Sequence, residues 1–459
     1  MKVSVRNLGV IKEAEIDLKP FTVFIGPNNA GKTWLAYALS GILGPYGWDQ
    51  YTKAYIDNKV KETYPPLDTA VQQVLDNGIA KIDLVQFADQ YGEIYFNNVA
   101  MLAPSWMQEY MDTERILFEH LEIHINLTET KNTFLKRIVD SSEERNFSVG
   151  QSQRKPLLSL LKEAGKPELY IFTSTEGNIS DNLPDRVIKE AIVSTIFHTI
   201  HYGLYEAVNV FSTERTAFTA FPAFQFISKQ LSSAFFVRHL TEPVSFFKDM
   251  IGEAFQSSTA QRLREAGNNA VVSDYIQLAQ VLEKQILGGG VDFSTPEPDP
   301  RREILFEPDL NTRIELPVAS SMVKELAGLV LYLRYLAKPH EWLIIDEPEM
   351  NLHPEAQAKL TEFLAMLVKA RLPVLITTHS PYIVDHLANL MKAAESTEPE
   401  AIQDKFYLQN KDAFISKNDV SVYLVDEGKT ENMLDEDGVI HWGTFSKVSD
   451  RVVQIYFDI

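Results

Sequence analysis

Gly26, Gly31, Lys32 and Thr33 stand in the order G-x-x-x-x-G-K-T, within GPNNAGKT at 26–33. That spacing suits a chain of phosphates. Two glycines leave backbone N–H groups unhindered, and a helix N-terminus that follows them favours an anion. Gly26, Pro27, Asn28, Asn29, Ala30 and Gly31 are the expected cradle of a nucleotide. Lys32 would meet its β- and γ-phosphates as a point charge, and the Thr33 hydroxyl would ligate Mg²⁺.

A second set of chemical groups lies far along the chain. WLIIDEPEMNLHP at 342–354 opens on four apolar or aromatic residues and then presents Asp346 and Glu347. A buried strand ending in two carboxylates fits a Mg-nucleotide site. Asp346 would hold Mg²⁺, partly through water, and Glu347 would orient and activate the attacking water. Taken alone, the same pair is equally a strand end with two solvated acids. VLITTHS at 374–380 carries Thr378, His379 and Ser380 at the polar end of another apolar run. His379 could hydrogen-bond the γ-phosphate or the attacking water, or cap the helix PYIVDHLANL. In VASSMVKELAGL at 318–329, Ser320 and Ser321 could cap a helix or offer donors to a phosphate on another subunit, capping being the simpler role.

The elements that must position these groups read as α/β. Residues 2–6, 13–18 and 21–25 are predicted strands, and 33–44 a helix. The stretch 46–118 reads as mostly helical, broken at Pro65-Pro66 and Pro104. Strands are predicted at 121–127, 146–149, 168–174 and 208–212, with a helix near 184–203. Residues 222–288 are helix-rich and end in three glycines, and STPEPDPRRE at 294–303 is a linker. A hairpin is predicted over 303–318, turning at Asp309 to Asn311. From 321 the order is helix, strand, helix, strand, helix, as a parallel sheet requires. KFYLQN, VSVYLVD and VVQIYFDI read as shorter strands near the C-terminal end.

Composition bounds the alternatives. A chain of 459 residues, 45% hydrophobic, can bury a large core in two to four units. The absence of cysteine excludes disulfides, thiolate zinc sites and cysteine nucleophiles. MKVSVRNLGVIKEAEI is charged throughout and does not read as a secretory signal. LAGLVLYLRYLA, the most apolar long stretch, is broken by Arg334 and falls short of a membrane span. A cytoplasmic protein with no membrane partner is expected. The formal charge of −20 opposes a DNA duplex, whose ligands usually show a basic excess, so DNA is not the partner that charge indicates.

VRNLGVIKEAEIDL, GPNNAGKT, VNVFSTERTAF, ELPVASSMVKEL, WLIIDEPEMNLHPEAQ and TTHSPYIVDHL occur in one order across most of the chain. With these pieces the sequence resembles the ABC-type ATPase heads of the SMC, RecF and OLD-like group, specifically the stand-alone bacterial AAA-type ATPases often found in anti-phage defence systems. The resemblance implies an ABC-ATPase head, a mixed N-terminal sheet plus a parallel-sheet P-loop core, built from 1–45, 119–215 and 300–459. A helical insertion would be 46–118, and 216–299 a helical insertion or arm. It implies an ATPase using ATP and Mg²⁺ as a switch, in which two heads or a larger homo-oligomer sandwich nucleotide and control a separate effector protein. A RecF-like DNA-binding repair ATPase is the alternative. By position, Ser320 and Ser321 would reach the γ-phosphate held by the other head, and Asn351 and His353 would contact that head. Arg6 and Asn7 sit where relatives place nucleotide-contacting residues, though a plain turn is an equal reading. Glu214-Arg215 matches a recurrent pair with no derivable role. Met322 stands where family signatures usually carry glycine. The glutamine that links γ-phosphate to the helical lobe in relatives is not identifiable, Gln151 and Gln153 being unplaced candidates. OLD-like proteins often add a Toprim nuclease, which VYLVDEGKTENMLDEDG at 422–438 superficially resembles. Asp435 and Asp437 follow Glu427 too closely for that fold, and are expected to be a solvated turn.

Overall fold

FTVFI, WLIID and VLITT form strands buried at every position, Phe21–Ile25, Trp342–Asp346 and Val374–Thr378. Strands this apolar on both faces need cover on both sides and suit the centre of a parallel sheet. The computed structural model, which describes residues 1–147, 157–173, 184–220, 240–299, 301–309, 311–435, 437–440 and 454–455, places them side by side. Val374–Thr378 lies between the other two and pairs in parallel with each. The register sets Thr378 against Ile25 and Thr377 against Asp346, so the chain leaves all three strands at the same level. In open α/β sheets, ligands bind at this carboxyl edge.

The chain divides into two compact units, one of residues 1–6, 41–107 and 118–207, the other of 7–40, 108–117 and 208–459. In the second unit, Val208–Phe211 flanks Trp342–Asp346, and Val420–Asp426 flanks Phe21–Ile25, both in parallel. Val420–Asp426 then turns back into Lys429–Asn432, which runs alongside Ile11–Asp17. The α/β class and the parallel core around the GPNNAGKT loop are therefore as the sequence predicts. Helices Glu242–Gln256, Ser321–Tyr335, Pro354–Lys369 and Pro381–Ala394 share one apolar core with this sheet, including Phe211, Phe247, Leu329, Leu343, Leu364 and Ile376. The expected hairpin is present as Ile304–Asp309 and Thr312–Glu315, with a third antiparallel strand, Gly290–Phe293, where the sequence showed only a glycine stop.

In the first unit, Lys2–Arg6 pairs antiparallel with Glu122–Asn126. A separate antiparallel sheet runs in the order Ile79–Asp83, Glu168–Thr173, Leu158–Lys162, Glu143–Phe147. Helices Pro45–Ile56, Leu84–Met101 and Asp185–Tyr202, with Tyr64 just ahead of the helix Pro65–Asn77, are joined by aromatic packing. The Phe197 ring lies 5.5 Å from Tyr51, 5.4 Å from Tyr64 and 5.0 Å from Tyr95, centroid to centroid. Such pairs add to what area burial alone gives.

Several expectations are corrected. The stretch 46–118 is not wholly helical: Ile79–Asp83 is a strand, and its partner lies about ninety residues downstream. Residues 118–207 fall in one compact unit with 41–107 and 1–6. Helices Glu242–Gln256 and Ala270–Val281 contribute to the apolar core of the second unit; 221–239 lie outside the described residues. KFYLQN forms no strand. The Tyr407 and Leu408 N–H groups donate instead to the buried Glu362 carboxylate, at 2.9 and 2.7 Å, and His386 Nε2 lies 2.8 Å from it. These bonds satisfy a backbone that would otherwise need a sheet edge. In VVQIYFDI only 454–455 are described, and they are helical; of NFSV, 148–149 lie outside the described residues, as do Gln151 and Gln153. Among the described residues no helix is long and apolar enough to cross a membrane.

Candidate active site

The loop after Phe21–Ile25 is shaped by two glycines with left-handed backbones. Gly26 has φ +147°, and a Cβ there would fall 2.2 Å from the Val425 carbonyl oxygen; Gly31 has φ +101°, and a Cβ would meet Ile11 at 2.6 Å. Only glycine fits either place. Pro27, Asn28 and Asn29 are exposed on the rim, and Ala30 is half-buried. Lys32 opens the helix Lys32–Leu43 and is itself buried. Its ammonium donates to the Gly26 and Pro27 carbonyls, at 3.0 and 2.9 Å. Burial pushes the Lys32 pKa down, and the nearby carboxylates of Glu347, Asp346 and Glu349 pull against that.

Thr33 and Asp346, separated by 313 residues, meet at this edge: Thr33 Oγ1 lies 3.0 and 3.1 Å from the two carboxylate oxygens. Asp346 is 1% exposed and also accepts a hydrogen bond from the Thr377 hydroxyl. Burial pushes its pKa up to about 6; the Thr377 and Thr33 hydrogen bonds oppose that rise, and the Glu347 charge adds to it. Thr33 and Asp346 form an all-oxygen pair. Mg²⁺ takes one or two such ligands, and completes its shell with phosphate and water oxygens, so the donor set fits it.

Glu347 follows with φ +47°, which is uncommon for a residue with a side chain. Its N–H is 3.1 Å from both the carbonyl and the hydroxyl of Thr377. His379 is brought to Glu347: its Nδ1 is 3.5 Å from Glu347 Oε1 and 3.9 Å from Glu349 Oε1. Ser380, not His379, caps the helix Pro381–Ala394, which leaves the imidazole available to the site. Glu349, whose role sequence reasoning did not assign, is buried and accepts from the Thr378 hydroxyl at 2.7 Å and the His379 N–H at 2.9 Å. Gln357 links the same two loops, donating to the Leu352 carbonyl at 2.8 Å and accepting from the Ser380 hydroxyl at 2.5 Å. DEPE-x-x-LHP-x-x-Q and TTHS are thus one hydrogen-bonded construction.

The other candidates divide. Ser320 caps the helix Ser321–Tyr335, its oxygen accepting from the Val323 N–H at 3.3 Å, and Ser320 and Ser321 are both exposed; Met322 is half-buried. His353 caps Pro354–Lys369 through Nδ1, 3.3 Å from the Glu355 N–H. Asn351 is exposed with φ +59°, and its amide donates to Glu325 at 3.0 Å. Arg6 ends the ladder with Glu122–Asn126, and Asn7 has φ +59°. The Glu214-Arg215 pair splits: Glu214 is exposed and Arg215 is buried, bonded to the carbonyls of Ser212, Asp346 and Glu347. Glu427 and Asp437 are exposed, and Asp435 is half-buried.

The model of a family described as an AAA ATPase domain matches residues 1–384. No curated protein matches the chain. In structure it is similar to an SMC head bound to the C-winged helix domain of ScpA, with TM-score 0.37 and 11% identity over 94% of this chain and 96% of that one. It is similar also to an Smc head with an extended coiled coil, bound to the C-terminal domain of ScpA derived from Pyrococcus furiosus, with TM-score 0.37 and 11% identity over 99% and 98%. An SMC head domain from Thermotoga maritima gives TM-score 0.28 and 11% identity over 84% and 90%.

Proposed function

We propose, from the premise that this chain belongs to the AAA ATPase domain family and is an ATPase, that it hydrolyses ATP at the Gly26–Thr33 loop and uses the cycle as a switch on a separate effector protein. The observation that carries the site is the contact of Thr33 with Asp346 at 3.0 Å, which unites the loop and the acidic pair at one sheet edge.

The backbone N–H groups of Asn28 to Gly31 and the Lys32 ammonium bind the phosphates, Lys32 exchanging its own loop carbonyls for phosphate oxygens. Mg²⁺, when bound by Thr33 and Asp346, supplies charge neutralisation on the β- and γ-phosphate oxygens. Glu347 orients the attacking water and takes its proton. His379, held from its backbone by Glu349, hydrogen-bonds the γ-phosphate or that water. Ser320 and Ser321 present the exposed N-terminus of a 15-residue helix, and in a second copy of the chain they close over the γ-phosphate. ATP then favours a nucleotide-sandwiched homodimer or larger assembly, hydrolysis releases it, and the effector reads the difference. Anti-phage defence is the setting that the sequence resemblance suggests. The charge of −20 favours a protein partner over duplex DNA.

ATP binding, turnover and assembly size in wild type, Lys32→Ala and Glu347→Gln test this reading. Lys32→Ala is expected to lose ATP affinity. Glu347→Gln is expected to bind ATP, turn over about 100-fold more slowly and accumulate the ATP-bound assembly. Undiminished affinity in the first variant or normal turnover in the second overturns the site. Assembly size and co-purified protein that do not change with ATP overturn the switch.

A further inference from the structure

Arg215 has no part in the chemistry just described, yet it is 2% exposed and its guanidinium holds three backbone carbonyls at the end of the Asp346 strand. Nη1 donates to the carbonyls of Asp346 at 2.7 Å and Ser212 at 2.9 Å, and Nη2 donates to the carbonyl of Glu347 at 2.9 Å. Nε lies 2.9 Å from Glu325 Oε2, a carboxylate equally buried at 2% exposure. The other Glu325 oxygen accepts from the Thr216 hydroxyl at 2.9 Å and the Asn351 amide at 3.0 Å. Burying an arginine–glutamate pair is rarely the most stable way to fill such a space, because desolvation offsets the Coulombic gain. The geometry of the pair points to a different benefit. The backbone it grips is that of Glu347, held at φ +47°, a conformation that persists only where its surroundings over-determine it. The Thr377 carbonyl and hydroxyl fix the Glu347 N–H from one side, and the Arg215 fork fixes the Asp346 and Glu347 carbonyls from the other.

We propose that Arg215 and Glu325 are a positioning pair for ATP hydrolysis. Glu325 locks the guanidinium, and the guanidinium locks the left-handed backbone from which the Glu347 carboxylate reaches the attacking water. Glu325 sits on the second turn of the helix that begins at Ser321, so the pair ties that helix directly to the acidic strand end. Lysine cannot replace Arg215, because an ammonium is a point donor and lacks the planar fork that spans neighbouring carbonyls.

The inference rests on the assignment of Glu347 as the water-activating acid. Steady-state ATPase kinetics and equilibrium ATP affinity on Arg215→Lys, Glu325→Gln and the double variant test it, with Glu347→Gln as reference and the fold checked by thermal unfolding. Arg215→Lys is expected to lower kcat about 10- to 100-fold, with KM and ATP affinity within about threefold of wild type, since misplacing a reacting group acts on the chemical step. Glu325→Gln keeps its Oε1 contacts but loses the charge, and is expected to lower kcat about tenfold in the same pattern. The double variant is expected to be no slower than Arg215→Lys, because each change breaks the same pair. Where Arg215→Lys does not fold, Glu325→Gln decides alone. Wild-type kcat in a folded Arg215→Lys or Glu325→Gln overturns the proposal, as does a parallel loss of affinity and kcat, or multiplicative losses in the double variant. Turnover retained by Glu347→Gln would strike the assignment of Glu347 itself, and a dead Glu347→Gln beside two fully active pair variants strikes the pair alone.

Discussion

Asp346→Asn should make the nucleotide-free protein more stable at neutral pH while disabling it. Asp346 is 1% exposed, and burial pushes its pKa up to about 6 from an ordinary 3.8. A rise of about two pH units, at about 1.4 kcal/mol each, means that keeping this carboxylate charged costs the folded state about 3 kcal/mol above pH 7. The sign follows from the raised value. The contribution of Asp346 to stability is fully present below its unfolded pKa, near 4, and is lost as pH rises through about 6. Asparagine has the same shape and no charge, and the Thr33 and Thr377 hydroxyls can both donate and accept, so one can bond its oxygen and the other its amide. Denaturant unfolding in EDTA should show Asp346→Asn more stable than wild type by up to about 3 kcal/mol at pH 8, with the gap closing toward pH 4.5. Adding MgATP should reverse the order, because only wild type offers the charged ligand. A variant less stable than wild type at pH 8 in EDTA, or a gap that does not change with pH, would refute the reasoning.

Two other substitutions address the frame around the site. Gly26→Ala places a methyl 2.2 Å from the Val425 carbonyl at φ +147°, so it should cost about 2–4 kcal/mol in thermal or denaturant unfolding and abolish nucleotide binding in a fluorescent-ATP titration. Glu362→Ala leaves the Tyr407 and Leu408 N–H groups and His386 without their buried carboxylate. It should cost about 3–5 kcal/mol and raise proteolysis near residue 407, with the ATPase KM unchanged; a loss below about 1 kcal/mol would show that water replaces the carboxylate.

The sequence made the shared strand edge readable because the groups that meet there are announced by the chain beside them. FTVFI, WLIID and VLITT are apolar runs with no alternation, and each ends at once in groups that cannot be buried without a partner. Residues that act through the backbone were not readable. Arg215 works by donating to carbonyls of Asp346 and Glu347, and no side-chain pattern records a carbonyl. Glu349 looks like one more acid in a motif until Thr378 and the His379 N–H are seen to converge on it. The strand Ile79–Asp83 was hidden for another reason. Five residues between two helices carry little periodic signal, and the Glu168–Thr173 strand that fixes them is remote in sequence. KFYLQN has strand-like residues, and only the buried Glu362 beneath it diverts its N–H groups from a ladder.

Phe21–Ile25 is flanked by Val374–Thr378 on one side and Val420–Asp426 on the other. During synthesis this strand leaves the ribosome about 350 residues ahead of Val374–Thr378 and further still ahead of Val420–Asp426. At cellular elongation rates, about 350 further residues take roughly 20 to 70 s. Throughout that interval FTVFI, an uncharged and strongly strand-forming stretch, has neither of its native neighbours to pair with. The protein's yield in a cell should therefore depend on how well this strand is shielded until residues 374–426 have been made.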